Sequence, residues 1–188
     1  MTFAELGLSP EVLKAVEELG YASPTPIQAA AIPPALDGRD VLGSAPTGTG
    51  KTAAYLLPAL QHLLDFPRKK SGPPRILILT PTRELAMQVA EHARELAKNT
   101  HLDIATITGG VAYMNHMEVF SENQDIVVAT TGRLLQYIKE ENFDCHAVET
   151  LILDEADRML DMGFAQDIEH IAGETRWRKQ TMLFSATL

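Results

Sequence analysis

The sequence predicts an α/β domain: a mostly parallel sheet with helices on both faces. Two observations carry that expectation. Short runs rich in Val, Ile and Leu recur between longer segments whose apolar residues keep helical spacing, as in strands buried on both faces by crossover helices. At residues 40–52, Asp-Val-Leu-Gly-Ser-Ala-Pro-Thr-Gly-Thr-Gly-Lys-Thr, a strand-like run breaks into a glycine-rich turn and then enters an apolar-periodic segment. Strand, turn, Lys-Thr and helix in that order form a phosphate-binding loop, although a bare glycine turn before an ordinary helix would look similar.

From the amino terminus, residues 8–20 read as a short helix with Ser9 as N-cap, Pro10 at the first helical position and Gly20 as C-cap. Residues 21–26 form a proline-fixed extended turn, and 27–36 a second helix interrupted near Pro33-Pro34. Beyond residue 40, strands are expected at 41–44, 75–80, 103–108, 125–129, 150–154 and 181–185. Helices are expected at 51–64, 83–98, 132–140 and 164–172, with another near 115–120. The loop 66–74 carries Arg68-Lys69-Lys70, either a solvated basic face or a nucleic-acid contact. No repeat, linker or low-complexity tract divides the chain, so residues 1–188 are expected to be a single domain.

Composition narrows the class. The chain is 45% hydrophobic and 22% charged, ordinary values for a globular protein, and its apolar runs are too short to span a bilayer. The amino terminus does not resemble a secretory signal, and a lone Cys145 excludes an internal disulfide; both suit a cytoplasmic protein. Cys145 reads as a structural or surface thiol rather than a nucleophile. A net charge of −9 means that any nucleic acid must be held by a local patch. The six histidines show no ligand spacing, and Trp177, Met159, Met162 and Phe164 read as packing residues.

Two stretches carry the chemistry. In the first, the backbone of Ala45, Pro46, Thr47, Gly48, Thr49 and Gly50 curls around phosphates, with the positive end of the following helix behind it. The Lys51 ammonium reaches the β/γ oxygens and the Thr52 hydroxyl can sit on Mg²⁺. The general pattern G-x-x-x-x-G-K-[ST] has Gly where this chain has Ala45. The second stretch, Asp154-Glu155-Ala156-Asp157, ends a buried strand, and ligands sit beyond the carboxyl ends of such strands. Asp154 can hold the Mg²⁺ and Glu155 can position or deprotonate a water. Acidic residues capping the next helix would be the plainer account, with Arg158 pairing with Asp161.

Asp154-Glu155-Ala156-Asp157 spells D-E-A-D, and the chain resembles the first RecA-like lobe of the DEAD-box RNA helicases. Residues 20–28, Gly-Tyr-Ala-Ser-Pro-Thr-Pro-Ile-Gln, match that family's Q motif, with Phe3 as its upstream aromatic. Residues 45–52 match motif I, Pro81-Thr82-Arg83-Glu84-Leu85-Ala86 motif Ia, Gly109-Gly110 the GG doublet and Ser185-Ala186-Thr187 motif III. Thr130-Thr131-Gly132-Arg133 departs from the usual T-P-G-R, a variant that resembles bacterial ribosome-assembly members.

The resemblance implies a RecA-like P-loop fold with the Q motif in 1–28 and an ATP-binding core in 40–188. It also implies ATP and Mg²⁺ as cofactors and a structured, ribosomal RNA partner with ribosomal proteins nearby. It implies that Tyr21, Thr25 and Gln28 face the nucleotide, with the Gln28 carboxamide on the adenine edge and Phe3 stacked on the base; a hydrophobic staple is the other role open to Phe3. Pro81, Thr82, Arg83, Gly109, Gly110, Thr131, Gly132 and Arg133 are implied as RNA contacts, read through backbone phosphate and 2′-OH. Asp157, Ser185 and Thr187 would link nucleotide state to RNA. The family's second lobe, expected as a partner, has no counterpart within residues 1–188. Other classes remain open: a P-loop NTPase of another kind, such as a GTPase, or a nucleotide-gated binding module without turnover.

Overall fold

Val41–Ser44 (β1), Ile76–Thr80 (β2), Ile104–Ile107 (β3), Ile126–Thr130 (β4), Thr150–Leu153 (β5) and Gln180–Ser185 (β6) pair into one sheet in the order β1-β6-β5-β2-β4-β3. Every pairing is parallel. The computed structural model describes residues 1–110 and 124–187, so the helix expected near 115–120 lies outside the described residues. The helices are Pro10–Glu18 (α1), Pro26–Leu36 (α2), Lys51–Asp65 (α3), Arg83–Ala97 (α4), Thr131–Lys139 (α5), Ala156–Asp161 (α6) and Ala165–Glu174 (α7).

Alternation along the strands divides the core in two. Ile76 and Ile78 of β2 join Ile126, Val128, Ile152, Met182 and Phe184 under α1–α4. Leu77 and Leu79 join Val127, Ala129, Leu151 and Leu153 under α5–α7. All five residues of β2 are buried, which is why the central strand reads as an unbroken apolar run. Met159 and Phe164 pack in the second core, whereas Trp177 is exposed.

Several expectations are corrected. Pro33 and Pro34 do not interrupt α2: they lie in its second half, and their carbonyls accept the N–H groups of Asp37 and Arg39. Ser9 stands at the N-cap of α1, but its hydroxyl is buried without a partner, and its N–H donates to Gln61 Oε1 at 2.8 Å. A short 3-10 turn, Phe3–Leu6, precedes α1, closed by a Thr2–Glu5 capping box. Arg68 is no solvated charge: its guanidinium donates to the Gly72, Pro73 and Gln124 carbonyls and lies 3.6 Å from Asp125, while Lys69 and Lys70 are exposed. Cys145 is buried, and desolvation pushes its thiol up to about 12, so it packs rather than reacts.

Gly43 shows how closely the nucleotide end is built. A Cβ there would lie 2.7 Å from Cε1 of the fully buried Phe184. Gly43→Ala is therefore expected to lower stability by about 1–3 kcal/mol, read as a shift in the urea midpoint; an unchanged midpoint would show that the Phe184 ring moves aside freely.

Candidate nucleotide site and nucleic-acid edge

The strand order splits the carboxyl edge of the sheet into two halves. The loops after β1, β6 and β5 lie together on one side and those after β2, β4 and β3 on the other. On the first side opens a cleft of about 540 Å³. Thr47, Gly48, Gly50, Lys51 and Thr52 line it, facing Asp154 and Glu155, with Tyr21, Ser23, Thr25 and Gln28 at one end.

Gly50 adopts the left-handed conformation (φ 82°) that turns the loop into α3. It also needs to lack a side chain, since a Cβ would lie 2.4 Å from Gln28 Nε2. Lys51, next in sequence, is buried and lies 3.2 Å from Asp154 Oδ1, also buried. One turn further along α3, the Tyr55 hydroxyl donates to Asp154 Oδ2 at 2.7 Å. Burial, then the Asp154 charge, pushes the Tyr55 hydroxyl well above its usual range, so it remains a proton donor.

Asp154 Oδ1 accepts no hydrogen bond, because Lys51 approaches it off the hydrogen-bonding direction. An orphaned carboxylate oxygen beside a phosphate loop suits a divalent cation. Mg²⁺ takes few protein ligands and completes its shell with phosphate oxygens and water, so Asp154 and Thr52 in one cleft fit it. Among the described residues no cluster of three acidic, His or Cys groups could hold a metal without such help.

Glu155 has φ 54° and ψ 49°, a left-handed conformation worth about 1–3 kcal/mol of strain in a non-glycine residue. The Asp154 N–H still pairs with Leu79 O, so the turn begins at Glu155 itself. Arg158 reaches back to Glu155 Oε2 at 3.4 Å, correcting the pairing expected with Asp161. The next acid, Asp157, accepts from the Thr187 hydroxyl at 3.0 Å and from its N–H at 3.3 Å. The Ser185 hydroxyl donates to the Thr187 carbonyl. Desolvation works to raise Asp157, but the Ser185 hydroxyl and the donors of Arg158 and Thr187 outweigh it and hold the carboxyl below its usual range.

At the other end of the cleft, the Gln28 carboxamide is already engaged. Its oxygen accepts the Thr25 N–H and its nitrogen donates to the Gly50 carbonyl, both at 3.0 Å. Those two bonds orient the carboxamide and leave one N–H and one acceptor site of Gln28 for a further partner. Phe3 is buried behind Tyr21, with ring centroids 6.2 Å apart, and is not among the residues lining the cleft. Tyr21 is the aromatic that faces it. Gly20 is left-handed, and the Gly20 and Tyr21 N–H groups close α1 on the Glu17 and Val16 carbonyls.

On the second half of the edge, the Thr82 hydroxyl caps α4 at Leu85 N (3.2 Å), and Arg83 is exposed, 3.3 Å from where a Gly110 Cβ would sit. The Gly109 N–H donates to Thr130 Oγ1 at 3.4 Å, joining the ends of β3 and β4. Gly132 is exposed, and Arg133 packs over Tyr137, 5.8 Å from its ring centroid. Two residues expected at this surface are not on it: Pro81 is buried, and Thr131 is 1% exposed with its hydroxyl unpartnered.

Residues 25–188 match the DEAD/DEAH box helicase family model. The chain belongs to the DEAD/DEAH box helicase family. It is similar to the ATP-dependent RNA helicase SrmB of Escherichia coli K12, 89% identical over 187 residues, which span 100% of this chain and 42% of that protein. The SrmB of Haemophilus influenzae is 76% identical over 99% of this chain and 42% of its own length. A crystal structure of a hypothetical ATP-dependent RNA helicase from Sulfolobus tokodaii superposes with a TM-score of 0.88 at 39% identity, covering 96% of this chain and 51% of that one. The chain thus spans about two fifths of the curated relatives' length.

In this DEAD/DEAH box helicase chain sequence reasoning missed Ser23 at the cleft, Tyr55 on α3, which holds Asp154, and a group of residues on α4. Leu85, Gln88, Val89 and His92 form a helical stripe at i, i+3, i+4 and i+7 along the cleft. The spacing was visible, but a stripe mixing Leu and Val with Gln and His looks like any half-buried helix face. His92 Nε2 lies 2.6 Å from the Tyr21 hydroxyl, and desolvation lowers its pKa despite the opposing charge of Glu95. A histidine whose folded pKa is depressed binds its proton more readily when unfolded. Its contribution is intact above the ordinary value, about 6.5, and is lost as pH falls below it. His92→Gln is expected to flatten that part of the stability profile between pH 7.5 and 5.5 in urea denaturation; an unchanged profile would show that His92 titrates freely.

Proposed function

We propose that residues 1–188 form the ATP- and RNA-binding lobe of an ATP-dependent RNA helicase that locally separates short duplexes together with a second RecA-like lobe. The observation that supports this most is the run of three acids with three separate contacts. Asp154 meets the phosphate-loop lysine, Glu155 is held in a strained turn at the cleft, and Asp157 meets Thr187 beyond β6.

In the proposed cycle the loop amides and Lys51 bind the phosphates. Thr52 and Asp154 hold Mg²⁺, which would neutralise charge on the phosphoryl oxygens when bound. Glu155 positions and deprotonates the attacking water. Asp157, Ser185 and Thr187 relay the state of the site toward the RNA edge, where Arg83, Gly109, Gly110, Gly132 and Arg133 meet the backbone of the RNA. Structured ribosomal RNA, in large-subunit assembly with ribosomal proteins nearby, is the proposed substrate, supported by the Thr-Thr-Gly-Arg variant of the RNA-facing loop. Cytoplasmic location is part of the same proposal; among the described residues no helix is long and apolar enough to cross a membrane.

The two adjacent carboxylates test the assignment. In the two-lobed protein, Glu155→Gln is expected to keep ATP and RNA binding while turnover falls about 10²–10⁴-fold. Asp154→Asn is expected to weaken Mg²⁺-dependent nucleotide binding instead, measured by calorimetry. Identical phenotypes would overturn the division of roles.

Residues 1–188 alone should bind adenine nucleotide weakly and hydrolyse ATP near background. Of the arginines beside the motifs, Arg83 and Arg133 are assigned to RNA and Arg158 pairs with Glu155, so an arginine finger worth roughly 10³–10⁵ in rate is proposed to come from the second lobe. Steady-state ATPase assays with and without RNA check this, and RNA-stimulated turnover typical of a two-lobed helicase would refute it.

A further inference from the structure

At the end of the sheet away from the cleft, the turn between α7 and β6 carries Arg176-Trp177-Arg178-Lys179. Six residues of β6, about 20 Å at 3.3 Å per residue, separate this turn from Ser185 and the nucleotide side. Trp177 is the single tryptophan of the chain and is 57% exposed. The Arg176 guanidinium sits over its ring, 4.3 Å from the centroid. Nothing in the packing of the lobe requires an indole here.

The cations differ in what holds them. Arg178 is fixed: its guanidinium donates to the Ala172 carbonyl at 2.8 Å, to the Thr175 carbonyl at 3.1 Å and to the Thr181 hydroxyl at 2.7 Å, closing the carboxyl end of α7. Arg176 and Lys179 make no ion pair among the described residues. Two acids lie close by in sequence or in the same depression, each with a partner of its own. Asp40, in the same shallow depression of about 550 Å³, accepts the Thr181 N–H at 2.8 Å, and Glu174 lies 3.6 Å from His170. In a chain of net charge −9 this is a local positive surface with an exposed aromatic at its centre.

We propose that this turn is a second RNA-contact site, which takes an unpaired strand by stacking a base on the Trp177–Arg176 pair while Lys179 faces phosphate and Arg178 holds the turn in shape. The proposal rests on RNA being the substrate of the lobe. Stacking on an aromatic or guanidinium plane beside cations is the chemistry of single-strand binding and tolerates any base. An acidic peptide would be drawn by the cations but has no use for an open indole face. A strand anchored here while its duplex end lies on the carboxyl edge would be held at both ends of the lobe.

The single tryptophan is its own reporter. Titrating residues 1–188 with a uridine ten-mer is expected to quench Trp177 emission, with a midpoint that rises with salt. By anisotropy of labelled RNA, Trp177→Ala is expected to weaken binding roughly 5- to 100-fold, Trp177→Tyr to restore most of it, and Arg176→Ala/Lys179→Ala to weaken it and lower the salt slope. Unchanged MgADP binding by calorimetry shows that these variants are folded. RNA binding with no quenching and no effect of the variants overturns the second site and leaves the RNA-binding lobe standing. No RNA binding by anisotropy sinks both, and equal quenching by polyglutamate at the same midpoint overturns the choice of RNA.

Discussion

The buried pair of Lys51 and Asp154 is the constraint on which the nucleotide half of the lobe depends. Two charges withdrawn from water cost far more than their attraction returns unless their remaining donors and acceptors are satisfied. Tyr55 satisfies one oxygen of Asp154, and the other stays without a hydrogen bond. As a stabilising device this is poor, since well-packed apolar residues in the same volume would serve better. As a cradle for a phosphate and a cation it is apt, because the incoming charges complete what the protein leaves incomplete. Lys51 opens α3 and Asp154 follows β5, so the pair also sets how close the loop after β1 must come to the end of β5. Strand β6, threaded between them, brings Ser185 and Thr187 to the same place.

Helix α4 connects the two halves of the carboxyl edge. Its first turn lies at the edge proposed for RNA, with Thr82 as cap and Arg83 beside Gly110, while the stripe from Leu85 to His92 walls the candidate nucleotide cleft. A helix is stiff over this length, so a displacement at the cleft is felt at Arg83. The hydrogen bond between Tyr21 and His92 ties the amino-terminal motif to the same helix. The candidate nucleotide cleft and the edge proposed for RNA therefore share one rigid part.

Much of this was legible because it depends on pattern. Apolar runs located all six strands within a residue or two, and the loop of 45–52 and the acids at 154–157 announced their own chemistry. What escaped depends on which partner a polar group finds. Gln28 looked like a free carboxamide until Thr25 and Gly50 were seen to hold it, and Phe3 looked available until Tyr21 covered it. Arg68 resembled its neighbours Lys69 and Lys70, yet three carbonyls from separate positions converge on its guanidinium. Thr131 stood in an RNA-like loop, but helix α5 begins at that residue and turns it inward. Composition cannot tell such cases apart, because what decides them is how the backbone turns, both for near neighbours such as Thr25 and Gly72 and for distant ones such as Gly50 and Gln124.

The separation of Asp154 from Glu155 is the clearest instance of backbone geometry assigning chemistry. Adjacent carboxylates of nearly equal acidity in free solution would do the same work if both continued the strand or both opened the helix. Here the ladder from β2 extends through the Asp154 N–H, which points its side chain into the buried pair with Lys51. One residue later the chain turns left-handed, and the Glu155 side chain emerges partly exposed beside the cleft, 3.4 Å from Arg158. One acid is thereby suited to hold positive charge and the other to meet water, which is the pairing that phosphoryl transfer to water requires. A glycine at 155 would relax the turn but remove the carboxylate proposed as the base, so under that proposal the strain is kept in a residue that cannot give up its side chain.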